Sequence, residues 1–75
     1  MNGARYSEGF LTPLSRWRHN KGGTYTVLGI AVCSTNGERN QMERSVVYQS
    51  ELHQTLWYRD VGEFLDGRFC PIKDE

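Results

Sequence analysis

The stretch from Thr24 to Cys33, TYTVLGIAVC, limits this chain more than any other part of it. It is dense in β-branched and aromatic residues, lacks proline, and reads as a strand. Directly before it stands NKGG, residues 20 to 23. Glycine enters positive φ at no steric cost, so this tetrapeptide reads as a hairpin turn. A hairpin needs a second arm, and Leu14 to Asn20, just past Pro13, supplies it. Side chains alternate along a strand, so Tyr25, Val27, Gly29 and Ala31 point one way and Thr26, Leu28, Ile30 and Val32 the other. From Val27 onward both sets are mostly apolar, which predicts a central strand covered on both sides.

Downstream, STNGERNQMER (residues 34–44) is polar, holds Asn36-Gly37 and reads as a long hairpin loop. SVVYQSEL is the next strand, with Val46 and Tyr48 on one face and Val47 and Gln49 on the other. HQT turns the chain into LWYR, another short strand. Asp60 and Glu63 then stand at the spacing of a helix N-cap and its capping-box partner. Val61, Phe64 and Leu65 give that segment one apolar side and Gly67 is a fitting stop, which predicts a helical turn over Val61 to Leu65. RFCPI closes as a last strand, whose Pro71 suits only an edge. Residues 1–13 read as a poorly ordered N-terminal arm, whose Tyr6, Phe10 and Leu11 can dock onto the domain or onto a partner chain. Residues 14–75 form a single small β domain. The expected fold is mostly β: 4–5 short strands and one short helical turn in a strongly bent sheet or partly open barrel.

Seventy-five residues with 37% hydrophobic content supply one thin core. A chain this small can hardly enclose a drug-sized ligand, so tight binding of a small molecule implies a site shared between copies. Formal net charge is zero, so nothing suggests a general affinity for polyanions. The charges are unevenly placed, however. Residues 1–37 carry Arg5, Arg16, Arg18 and Lys21 against Glu8 alone, while the acids outnumber the bases in residues 51–75. Chance plus an acidic tail explains this, and so does a homo-oligomer in which basic and acidic halves meet. Cys33 and Cys70 are too few for a secreted disulfide framework and read as buried free thiols in a reducing cytoplasm. With no apolar run of membrane-span length and no signal-peptide pattern, the expectation is a soluble cytoplasmic protein without a membrane partner.

Three segments together resemble a known family. WRHNKGGTYTVLGIA, VVYQ and LWYRDVGEF are similar to a bacterial and phage family called domain of unknown function 1653, over roughly residues 16 to 65. That family shows a Tyr-x-His-x-Lys-Gly-x-x-Tyr-x-Val-Leu-Gly opening, a Val-Val-Tyr strand, and Leu-Trp-x-Arg running into a helical turn. Trp17, His19, Lys21, Gly22, Tyr25, Val27, Leu28 and Gly29 fall on the opening. Val46, Val47, Tyr48, Trp57, Arg59 and Phe64 fall on the later pieces. The chain departs from the pattern at Asn20, where an aromatic is usual, at Asp60, where proline is usual, and at CSTNGERNQM after Val32, which is longer than the family's short His-Ser-Glu-Thr turn and lacks its histidine. The resemblance implies a compact SH3-like barrel and no established activity.

Catalytic patterns are absent from the spacing. Nucleophilic catalysis needs a Ser or Cys beside an oriented base, and no nucleophile elbow, catalytic-cysteine signature or paired carboxylates occur. His19, Cys33, His53 and Cys70 lie at long irregular gaps, unlike metal-ligand spacing, and NKGGT lacks the frame of a phosphate-binding loop. No catalytic residue, metal or cofactor is expected. A small regulatory enzyme remains open only if His19 and one of the cysteines meet in a pocket.

Binding patterns fare better. In RWRH, Trp17 and His19 share a face opposite Arg16 and Arg18; in LWYR, Trp57 and Arg59 share a face opposite Leu56 and Tyr58. Two strands thus each offer an indole with a polar or cationic group two residues on. Such pairs stack on flat rings and grip phosphate or carboxylate. The competing structural account buries Trp17, leaves Arg18 and Lys21 in solvent, and ties Arg59 to Glu63 or Asp66. The favoured reading is a non-enzymatic binding protein for a small anionic, nucleotide-like molecule, with the site shared between subunits. Trp17, Arg18, His19, Lys21, Tyr48, Trp57 and Arg59 are its candidate ligand-binding residues. If phage-encoded, such a module would sequester a host nucleotide signal without destroying it. The alternative is an SH3-like interaction module that reads a peptide or single-stranded nucleic acid, the latter disfavoured by zero net charge.

Overall fold

A computed structural model describes residues 5–33 and 44–73. Gly22 and Gly23 adopt positive φ, 101° and 91°, and turn the chain from β1 (Arg16–His19) into β2 (Thr24–Val32). The turn closes through His19 N–H donating to the Gly23 carbonyl at 3.0 Å. β3 (Arg44–Ser50) and β4 (Leu56–Asp60) continue as an antiparallel meander. Asp60 accepts hydrogen bonds from the backbone of Gly62 and Glu63, capping the short helix α1 (Val61–Phe64) as expected. Gly67, at φ 111°, lets the chain turn back into β5 (Phe69–Pro71). β5 pairs with β1, giving one bent, unclosed sheet in the order β4-β3-β2-β1-β5. Pro71 is on an edge strand, where its missing N–H costs least. The loop expected over 34–44 falls, up to residue 43, outside the described residues.

Register decides which side chains meet. Trp17 faces Tyr25, Val27 faces Tyr48, and Tyr48 faces Trp57 across successive strands. The ladder slips between Val27 and Gly29, leaving Leu28 as an extra residue. A bulge of this kind inverts the alternation beyond it. Ile30, expected on the face opposite Val27, therefore pairs with Val46 and packs against the core.

One face of the sheet carries the core: Leu11, Trp17, Val27, Val46, Tyr48, Val61, Phe64, Leu65 and Phe69 are buried. Its centre is aromatic. Phe64 stacks on Phe69 with centroids 4.2 Å apart, and Trp17 meets Phe64 edge-on at 5.1 Å. Tyr6 packs edge-on against Trp17 at 5.7 Å, so part of the N-terminal segment docks on the same face. Rings in these geometries add to the area they bury, which suits a short chain.

Two expectations are corrected here. β2 is central, but it is covered on one side only, with Leu28 and Ala31 exposed. The helix and the N-terminal segment lie on the same face, and the described residues supply no second layer for the other. Cys33 and Cys70 are exposed rather than buried. Cys33 follows the end of β2, and Cys70 alternates outward from its buried neighbour Phe69. The opposite sheet face is braced instead by a bidentate pair, Arg16 to Glu51 at 2.9 and 3.1 Å, to which Thr26 donates at 2.8 Å. Among the described residues no helix is long and apolar enough to cross a membrane.

Candidate functional site

The core-bearing face does not close over completely. Beyond the buried rings, between the β1–β2 turn and β4, lies an open cleft of about 360 Å³. His19, Lys21, Gly22, Tyr25, Tyr48, Trp57, Arg59 and Phe69 line it. A polar recess continues from it, bounded by His19, Asn20, Lys21, Arg59 and Arg68. His19, Lys21 and Arg59 belong to both, so an aromatic floor runs into a cationic corner.

Each wall has a local origin. β4 alternation turns Trp57 and Arg59 onto the core face, and the edge position of β4 leaves Trp57 51% exposed. Tyr25, Tyr48 and Phe69 pack edge-on to one another at 5.4 to 5.7 Å, making the floor rigid. Arg59 reaches across this floor. Its Nε donates to Tyr48 Oη at 3.4 Å, its guanidinium carbon sits 5.8 Å from the Phe69 centroid, and Glu63 lies 3.8 Å from its terminal nitrogen. Such contacts orient the guanidinium while leaving much of its fork uncommitted.

The corner is electropositive. His19 packs edge-on against Phe69 at 4.7 Å, and its Nδ1 accepts the backbone N–H of Lys21 at 3.0 Å. Burial holds its pKa below the ordinary imidazole value, and the cations Arg59, Lys21 and Arg68 depress it further. Arg68 is paired with Asp66 at 3.0 Å, whereas Lys21 makes no ion pair among the described residues. Three cations gathered around one imidazole are an arrangement that an anion would relieve.

Five of the seven expected binding residues meet in the cleft: His19, Lys21, Tyr48, Trp57 and Arg59. Two do not. Trp17 points to the same face but is fully buried beneath Phe64 and Tyr6, with its indole N–H donating to Ser15 Oγ at 3.1 Å. Arg18 alternates to the opposite face and is exposed. Gly22, Phe69, Asn20 and Arg68 were not anticipated. Gly22 and Asn20 could have been found as neighbours of Lys21 in the turn. Phe69 and Arg68 reach the cleft only because β5 returns to β1, which no local pattern announces.

Residues 15–68 match the model of a family described as a protein of unknown function, DUF1653. The chain belongs to the DUF1653 family. The matched span of this DUF1653 domain runs from just before β1 to just before β5. It contains every residue of the cleft and its recess except Phe69, and it excludes the docked N-terminal segment. No curated protein and no solved structure matches the chain. Neither Cys33 nor Cys70 lines the cleft that holds His19, and no metal-binding group of three or more His, Cys, Asp or Glu exists among the described residues.

Proposed function

We propose that this DUF1653 chain is a non-enzymatic binding protein for a small anionic, nucleotide-like molecule. The observation that carries the reading is the continuity of the cleft: a partly exposed indole and two tyrosines adjoin a corner of Lys21, Arg59 and Arg68. A flat ring fits the aromatic floor by stacking, and a phosphate or carboxylate fits the corner. The cleft is open and its chain is short, so a ligand held tightly needs further cover from a second subunit. Exposed free thiols suit the reducing cytoplasm as the place of action. A module of this kind withdraws a nucleotide signal from solution without destroying it, the use a phage would have for it.

A thermal-shift panel of nucleotides, cyclic dinucleotides and ADP-ribose derivatives tests the proposal. A concentration-dependent rise in Tm with at least one supports it, and no shift with any of them removes it. The second reading, an interaction module with an SH3-like surface, draws on the openness of the same aromatic face, where Trp57 is 51% exposed. Binding of a peptide, or of single-stranded nucleic acid with steep loss in added salt, would favour that reading instead.

A further inference from the structure

The sheet has two edges, and they are built differently. β5 is three residues long and ends in Pro71, both devices that blunt an edge. β4 is five residues long, Leu56-Trp57-Tyr58-Arg59-Asp60, with no proline and no lysine. Its three leading residues are 60%, 51% and 77% exposed. Only β3 pairs with it, so the peptide groups along its outer side have no partner strand among the described residues. An edge of this length and apolarity is a template for another strand.

We infer that this strand is the interface with a second copy of the same chain. The centre of β4, Trp57 to Arg59, is complementary to itself when two copies run antiparallel about a two-fold axis at Tyr58. Every residue from Leu56 to Asp60 is then paired, and residues opposite each other share a face. Tyr58 meets Tyr58. Trp57 of one copy lies opposite Arg59 of the other, an indole against a guanidinium, and the relation is repeated by symmetry. Both residues line the cleft, so the two clefts adjoin and each gains the second copy's Trp57 and Arg59 at its open side. The enlarged sheet removes the exposed edge from both chains.

This pairing needs no ligand, and its test is separate from that of the binding reading. Sedimentation equilibrium of the full chain without added ligand is expected to give the mass of two chains. Tyr58→Lys, which sets like charges together on the axis, is expected to give one chain with an unchanged far-UV spectrum. Amide hydrogen exchange provides a check that does not depend on the variant folding. In the wild-type chain, amides within Leu56–Asp60 should gain protection as concentration rises. A single-chain mass at all concentrations overturns the inference. So does a dimer that Tyr58→Lys leaves intact, or concentration-dependent protection at Phe69–Pro71 instead of β4.

Discussion

The backbone N–H of Lys21 donates to Nδ1 of His19 at 3.0 Å, so the imidazole is unprotonated at that nitrogen and faces the corner neutral. Its pKa is depressed by burial and by Arg59, Lys21 and Arg68. A bound anion offsets those cations and favours the imidazolium, so proton uptake and anion binding reinforce each other. Affinity for the anionic ligand should therefore rise as pH falls toward the depressed pKa of the free ring, by roughly tenfold once the ring is charged. His19→Gln should flatten the profile in calorimetric titrations between pH 5 and 8.

Without ligand the same group works against stability in acid. Its folded pKa lies below the unfolded one, so the unfolded chain takes the proton first. The contribution is complete above about 6.5 and is lost as pH drops from there through the folded value. Denaturant midpoints of the wild type and His19→Gln should diverge over that window and run parallel at neutral pH and above.

Tyr48 and Glu63 orient Arg59 and leave much of its fork uncommitted. Arg59→Ala should weaken ligand binding by roughly ten- to a hundredfold, the weight of a hydrogen bond to a charged group. Lysine at this position keeps the charge without the planar fork and should recover only part of the loss. In the monomeric Tyr58→Lys background stability should change by no more than about 1 kcal/mol, because the contact with Glu63 is long and partly solvated. Equal losses of binding and folding in both variants would make Arg59 a structural brace.

The two tryptophans should behave as opposites. Trp17 is fully buried among Phe64, Tyr6 and the sheet, so Trp17→Ala should cost about 3–5 kcal/mol. Trp57 is half exposed, and Trp57→Ala should move stability by about 0.5 kcal/mol or less in the monomeric Tyr58→Lys background. Ligand-dependent fluorescence should disappear with Trp57 and persist in a variant that retains it but carries Trp17→Phe.

On the opposite face, Glu51 joins β1 and β2 to the end of β3 through Arg16 and Thr26. Hydrogen bonds from Arg16 and then Thr26 hold its carboxyl below the usual range. This stability is present above the unfolded carboxyl value of about 4.3 and fades as pH falls through the lower folded value. Glu51→Gln should cost about 0.5–1 kcal/mol at neutral pH, the scale of a partly exposed bidentate pair. Ligand affinity, read on the other face, should be unchanged.

What could be read from the residues alone was local. The two turn glycines, the Asp60 cap, the Gly67 stop and the edge proline each depend on a few neighbouring atoms, and each appears where the sequence places it. The bulge at Leu28 depends on how Val27 and Gly29 meet Tyr48 and Val47, so alternation alone put Ile30 on the wrong face. The same limit applies to the indoles. Alternation aims Trp17 and Trp57 at one face, but depth follows from strand order: Trp17 sits between two strands and Trp57 on an edge. His19, Lys21, Tyr48, Trp57 and Arg59 were recognisable by chemistry, whereas Phe69 and Arg68 join them only through the pairing of β5 with β1.

The central claim is that the aromatic floor and cationic corner hold one small anion with a flat ring. Calorimetric titration of the wild type, Trp57→Ala and Arg59→Ala with the nucleotides, cyclic dinucleotides and ADP-ribose derivatives of the panel tests it most directly, with the ligand recovered afterwards. The account predicts saturable binding of at least one ligand by the wild type, sharp weakening in both variants, and a ligand returned chemically unchanged. No binding by the wild type, binding indifferent to both substitutions, or recovery of a product in place of the ligand would contradict it.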